Sequence, residues 1–182
     1  MQHSLVMTVI GDDRPGLVDS VASIVAEHGG NWLESRMSRL GGQFAGIVHV
    51  EVPADKERSL AKALKGLDAH GLTIVVHSSQ RQPMVPRHSS ILEIVGQDRP
   101  GIVRQISHTL AGFGVNVEEL DTECASAAMS GEPLFKARAV LTIPDSCNVA
   151  ELRKTLEKIA ADLIVEISLE NVPHAHHHPG RD

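Results

Sequence analysis

Aromatic residues are almost missing from this chain. Trp32, Phe44, Phe113 and Phe135 are the whole set and there is no tyrosine, so Val, Ile, Leu and Ala must build the core. Nucleic acid would find few stacking platforms, and the net charge of −6 also argues against direct nucleic-acid binding, which rests largely on Lys and Arg neutralising phosphates. Small molecules or proteins are the expected partners. Cysteine is scarce too: Cys124 and Cys147 form no CxxC pair, which leaves no basis for a disulfide framework or a thiolate metal site. No stretch approaches the roughly 18 apolar residues of a membrane span, and MQHSLVMTVI lacks a basic run ahead of an apolar one. A cytoplasmic protein without a membrane partner is expected. No cofactor is expected either, since neither GxGxxG nor GxxxxGKS/T is present.

What the chain does contain is a repeat. VIGDDRPGLV at residues 9–18 aligns with IVGQDRPGIV at residues 94–103, an offset of 85 at which Ala26 meets Ala111, Gly29 meets Gly114 and Asn31 meets Asn116. Phe44 to Pro53 then matches Phe135 to Pro144 at an offset of 91, so the second copy carries six extra residues, near Ser126 to Gly131. The copies differ in charge. Residues 1–85 carry eight basic and nine acidic groups, whereas residues 86–182 carry nine and fourteen.

Periodicity gives each copy the same plan. Leu5 to Ile10 is a strand candidate, punctuated by Gly11 and Pro15. Leu17, Val18, Val21, Ile24 and Val25 then mark one helix face, with the helix starting near Pro15 at the first helical position and closing at Gly29 and Gly30. Ile102, Val103, Ile106 and Leu110 repeat that stripe. Asn31 to Arg39 and Gln43 to Val52 form a hairpin across Gly41 and Gly42. A second helix turns Leu60, Leu64 and Leu67 inward and Lys56, Glu57, Lys62 and Lys65 outward, and Leu72 to Val76 is the last strand. The equivalents in the second copy are Ile91 to Val95, Pro100 to Phe113, Asn116 to Cys124, Leu134 to Ile143, Val149 to Ala160 and Leu163 to Leu169. The order βαββαβ predicts an α+β, ferredoxin-like domain, a four-stranded antiparallel sheet with two helices on one face. The expected division is residues 1–79 and 89–170 as the two domains, 80–88 as a linker, and 171–182 as a flexible His-rich tail.

The DRPG motif, the copy size and the element order resemble the ACT domain, a ligand-sensing module of amino-acid-regulated proteins. Two such domains and nothing else resemble the glycine cleavage system transcriptional repressor family. The resemblance covers Ser4 to Glu170 and implies a regulator without a catalytic domain, one that binds a small amino acid such as glycine at interfaces between domains and modulates a partner protein such as a transcription factor. It also implies a homo-oligomer formed by pairing of these domains. Carried onto this chain, one site would use Gly11, Asp12, Asp13 and Gly16 with Asn31 facing them. The other would use Gly96, Gln97, Asp98 and Gly101 with Asn116. Members that bind amino acids often place an amide where this chain has Asp13 and Asp98; a carboxylate there favours an amine.

The residues support this reading and also leave plainer ones open. A helix N-terminus offers unpaired N–H groups and a partial positive charge of about +0.5, which suits a ligand carboxylate. Asp13 or Asp98 could accept an ammonium group, or could simply cap the helix behind it. Asn31 and Asn116 could contact a ligand, or hold their own turns. Gly16 and Gly101 would let a ligand approach the backbone. Glu118, Glu119, Asp121 and Glu123 read either as a cation site or, more ordinarily, as a solvated strand edge. His174, His176, His177 and His178 belong to the tail and carry no site. The repeat consumes both halves, and no Ser/His/Asp, HExxH or paired Cys/His arrangement remains over for catalysis. The other function that fits is an interaction module with vestigial ligand loops.

Overall fold

Strict alternation along the first strand sets the architecture: Leu5, Met7 and Val9 are buried while Thr8 and Ile10 face outward. The structure, a computed structural model, describes residues 1–78, 88–126 and 133–171. Its two compact units divide within residues 79–87. In the first unit the order is β1 (Gln2–Asp12), α1 (Leu17–Glu27), β2 (Asn31–Leu40), β3 (Gln43–Pro53), α2 (Glu57–Lys65), a 3-10 turn (Gly66–His70) and β4 (Leu72–Ser78). In the second it is β5 (His88–Gln97), α3 (Ile102–Gly112), β6 (Asn116–Ser126), β7 (Pro133–Ile143), α4 (Val149–Leu163) and β8 (Val165–Asn171). Each unit is an α+β, ferredoxin-like domain with an antiparallel sheet, in the order β2-β3-β1-β4 or β6-β7-β5-β8. Residues 80–87 and 172–182 of the expected linker and tail, and residues 127–131 of the extra segment, lie outside the described residues.

One sheet face meets the helices. In the first unit Leu5, Met7, Val9, Val48, Val50, Val52, Leu72 and Ile74 pack against Leu17, Val21 and Val25 of α1 and Leu60 and Leu64 of α2. Helices of 11 and 9 residues are too short to persist alone in water, so this packing is what makes them helical. The second unit builds an equivalent core, with Phe135 and Leu141 of β7 in it. Val18 and Val103, expected on the buried stripe, are 45% and 44% exposed. Each follows a buried residue by one position, about 100° round the helix, and that rotation carries it off the narrow face set by every fourth residue.

Local chemistry closes the elements. Gly29 N donates to Ala26 O and Gly30 N to Val25 O, both at 2.9 Å, with Gly29 at a φ of 68°. Gly114 and Val115 repeat these bonds after α3, a Schellman closure in both copies. Gly41 and Gly42, at φ values of 59° and 81°, make the two-residue hairpin turn. α4 begins on Asn148, whose side chain accepts from Glu151 N at 3.2 Å. It runs past the expected end at Ala160, so Leu163 is helical and the last strand starts at Val165, after Ile164 turns the chain at a φ of 57°.

Glu57, expected to point outward, is half-buried instead. It accepts from His3 at 2.6 Å and from Ser78 at 3.2 Å, tying α2 to the two strands beside it. These bonds, that of His3 foremost, hold the Glu57 carboxyl below its ordinary value of 4.5. A depressed carboxyl stabilises the fold above its unfolded-state value and loses that contribution as the pH falls through the folded one. Acid unfolding of the first unit is therefore expected to show a component below pH 4.5 that Glu57→Gln removes.

A Cβ on Gly11 would lie 2.4 Å from the carbonyl oxygen of Gly71, whereas one on Gly66, at a φ of −61°, would meet nothing within 4 Å. Gly11→Ala is expected to lower the stability of the first unit by about 1–3 kcal/mol. Gly66→Ala should be neutral or stabilising by up to about 1 kcal/mol. Urea unfolding followed through Trp32, the single tryptophan, which packs half-buried against the first core, reads this unit alone.

Candidate functional site

The two DRPG loops leave the ends of β1 and β5 and enter α1 and α3 through a left-handed glycine. Gly16 has a φ of 89° and Gly101 of 98°, and the helices begin one residue later, at Leu17 and Ile102. Pro15 and Pro100 are thus not first helical residues: they sit before the glycine, in the turn, because the glycine's backbone breaks helical geometry between them and the helix. Neither Asp13 nor Asp98 caps. Both helices start without a side-chain cap, and the Asp13 carboxylate goes to Arg39 at 2.9 Å. The first-turn N–H groups therefore keep their positive potential for another acceptor. Space beside them is open: a Cβ on Gly16 would meet nothing within 4 Å, and one on Gly101 only the Gln105 amide at 3.8 Å.

Each loop is pinned to the tip of the neighbouring hairpin. Asp13 N donates to Gly42 O, and Asp98 N donates to Pro133 O, both at 3.0 Å. Gln43 donates to Asp12 at 2.6 Å, while Gln97, the counterpart of Asp12, accepts from Arg99 at 2.9 and 3.3 Å. Arg14 reaches the other way, to His70 O at 2.6 Å, and this contact bounds a cleft of 370 Å³ that also touches Gly16, Asp19 and Leu67. Gly11 and Gly96 serve the fold. A side chain at either would strike the start of the last strand of its sheet, with Val165 Cα 2.7 Å from a Cβ on Gly96.

The asparagines do not face these loops within a unit. Asn31 pairs with Glu51 on β3, whereas Asp12 pairs with Gln43, eight positions away along the same strand. At about 3.3 Å per residue the two ends are roughly 26 Å apart. In the second unit Asn116 pairs with Thr142 and Gln97 with Leu134, the same separation. The first and second strands run parallel on either side of the third, so the end of one and the start of the other fall at opposite ends of the sheet. Asn116 does bond locally, its amide donating to Glu118 at 2.7 Å while Thr142 donates to the same carboxylate oxygen at 2.9 Å.

The acidic run of β6 is accounted for by register. Beyond an irregularity between Val117 and Glu119, strand alternation puts Glu119, Asp121 and Glu123 on one face, where Asp121 lies opposite Arg138 and Glu123 bonds Lys136 at 3.2 Å. Among the described residues no three His, Cys, Asp or Glu side chains converge as a metal site would require. Local desolvation, and then the charge and hydrogen bonding of Asp98, push the thiol of the exposed Cys124 above its ordinary value of 9.0; burial does the same to Cys147. Neither thiol is activated for nucleophilic work. Arg39 is the contact that sequence reasoning missed. The one available signal was that the offset of 85 sets it against Cys124 rather than another cation.

Among the described residues no helix is long and apolar enough to cross a membrane. Comparison with known proteins gives a consistent picture. A family model described as the ACT domain matches residues 3–77. The glycine cleavage system transcriptional repressor of Escherichia coli is 24% identical over 179 residues, which span 97% of this chain and 94% of that protein. A phosphoserine phosphatase of Mycobacterium tuberculosis is 25% identical over 92% of this chain but only 41% of its own length. The crystal structure of a protein of unknown function from Galdieria sulphuraria superimposes with a TM-score of 0.82 at 30% identity, covering 95% of this chain and all of that one, 100%. With its matched first domain, a second copy of the same topology and the full-length likeness to the repressor, the chain is a tandem ACT-domain protein resembling the glycine cleavage system transcriptional repressor.

Proposed function

We propose that this protein is a non-catalytic cytoplasmic regulator that binds a small amino acid such as glycine at its DRPG loops and passes the signal to a partner protein, such as a transcription factor. The observation that carries the proposal is the loop itself. Twice in one chain, a carboxylate stands ahead of a left-handed glycine and a helix whose first turn has no side-chain cap. An α-amino acid has the complementary ends: a carboxylate for the first-turn N–H groups and an ammonium for the aspartate.

Loop and asparagine can serve one ligand only if different domains contribute them, which fits a site completed when two copies of the chain pair. The E. coli relative is named as a transcriptional repressor, and this supports a regulatory output over a catalytic one. A ligand shifts such a pairing only by its differential affinity for the two arrangements, typically about 1–3 kcal/mol, or about 5- to 150-fold in partner affinity.

Titration calorimetry of glycine, L-serine and L-alanine into the purified full chain tests this. Saturable heat at millimolar or lower concentration is expected with at least one of them, and Asn31→Ala together with Asn116→Ala should weaken it without changing the unfolding midpoint. If all three amino acids give no heat and leave the midpoint unmoved at millimolar concentration, the proposal is wrong. Saturable heat that the asparagine changes leave intact would confine the site to the loops.

A further inference from the structure

Arg39 and Cys124 stand at one place in the repeated fold. Arg39 pairs with Phe44 beside the Asp12–Gln43 pair, and Cys124 pairs with Phe135 beside the Gln97–Leu134 pair. Both positions lie on the strand next to the loop carboxylate, and the loops are pinned to their hairpin tips by backbone bonds of the same length, 3.0 Å. The difference is what faces the aspartate. In the first copy it is a guanidinium at 2.9 Å; in the second the register position holds a thiol, Cys124, which carries no cation.

We propose that the two loops have divided roles: Asp98 of the second copy takes the ammonium of a small amino acid, whereas Arg39 occupies Asp13 and closes the first loop to that group. This rests on the ligand reading above and specifies which copy responds and why.

A ligand ammonium at Asp13 would have to displace a cation built into the same strand pair. A group tethered at short range competes at an effective concentration in the millimolar range, so free amino acid at similar concentration gains little. The displaced guanidinium would also stay nearby and repel the newcomer. Asp98 has no such competitor among the described residues. Its neighbour Arg99 is bonded to Gln97, and Lys136 to Glu123. Cys124 stands where Arg39 stands in the first copy and brings no cation to Asp98, so the place an ammonium would take is not filled by one. Asp12 does not restore the first site. By strand alternation it lies with Ile10 on the sheet face away from the helices, and it is taken by Gln43 at 2.6 Å.

The amide signals of Gly16 and Gly101 report the two loops separately, and glycine added to the isotope-labelled full chain is the probe. In the unaltered protein Gly101 is expected to shift and saturate, with Gly16 responding at least about tenfold more weakly. Arg39→Ala should strengthen the Gly16 response by about tenfold and leave Gly101 unchanged; Cys124→Arg should weaken Gly101 by a similar factor. N-acetylglycine, which has no ammonium, should move neither. Both substitutions fall on exposed edge-strand positions, and an unchanged Trp32 emission and amide spectrum confirm folding. Equal responses of the two loops in the unaltered protein, or no gain at Gly16 in Arg39→Ala, overturn the divided roles while leaving amino-acid binding standing. Silence of both glycines in the unaltered chain and in Arg39→Ala overturns both.

Discussion

Everything at the DRPG-loop end of each domain hangs on one close backbone approach. The carbonyl oxygen of Gly71 sits where a side chain on Gly11 would have to be, 2.4 Å from that Cβ position, and the turn at Ile164 crowds Gly96 in the same way. This contact brings the end of the first strand against the start of the last, and the chain must then leave the sheet at once. It does so through Asp13–Gly16 or Asp98–Gly101, and only a residue tolerant of positive φ can hand it on to the helix. An uncapped helix start beside a carboxylate is the consequence. The two glycines of each loop thus do different jobs: the first is small because backbone is near, the second is left-handed because the chain must turn.

The duplication repeats this arrangement, and the hairpin next to it breaks the symmetry. In the first copy the hairpin is closed by two glycines and presents Arg39 and Gln43 to the loop, binding Asp13 and Asp12 respectively. In the second copy the residues in register with these are Cys124 and Leu134, neither of which carries charge. The six-residue difference in length falls at this same hairpin. One fold therefore carries two loops of matching backbone and different electrostatics.

Much of this was legible in the sequence. Alternation in β1 and β3, the four-residue spacing in α1 and the glycine pairs that stop elements are local signals, and each act through atoms only a few residues away. The helix stripe of Leu17, Val21 and Val25 is readable in the sequence, but Val18, adjacent to it, lies off the core because a one-residue step rotates farther than the core reaches. The helix start at Leu17 rather than Pro15 is not legible, since a left-handed glycine after the proline looks in sequence like any other glycine. Asn31 and Asp13 do not meet within one unit, for a topological reason: both flank α1 in sequence, but the helix returns the chain to the far end of the sheet. The partner of Asp13 was hidden because it depends on hairpin register, which no local pattern reports.

That pair contributes little to folding. Arg39 is 71% exposed and Asp13 31% exposed, and pairs of this kind contribute only about 0–1 kcal/mol to stability. Without Arg39 the strand and the loop would keep the backbone bond from Asp13 N to Gly42 O, as the second copy keeps its own without a cation. The fold therefore gives little reason for an arginine at this place. What the arginine does change, by a full unit of charge at 2.9 Å, is the potential at the Asp13 carboxylate. Two domains with matching backbone thus come to differ at the point where a small charged ligand would discriminate between them.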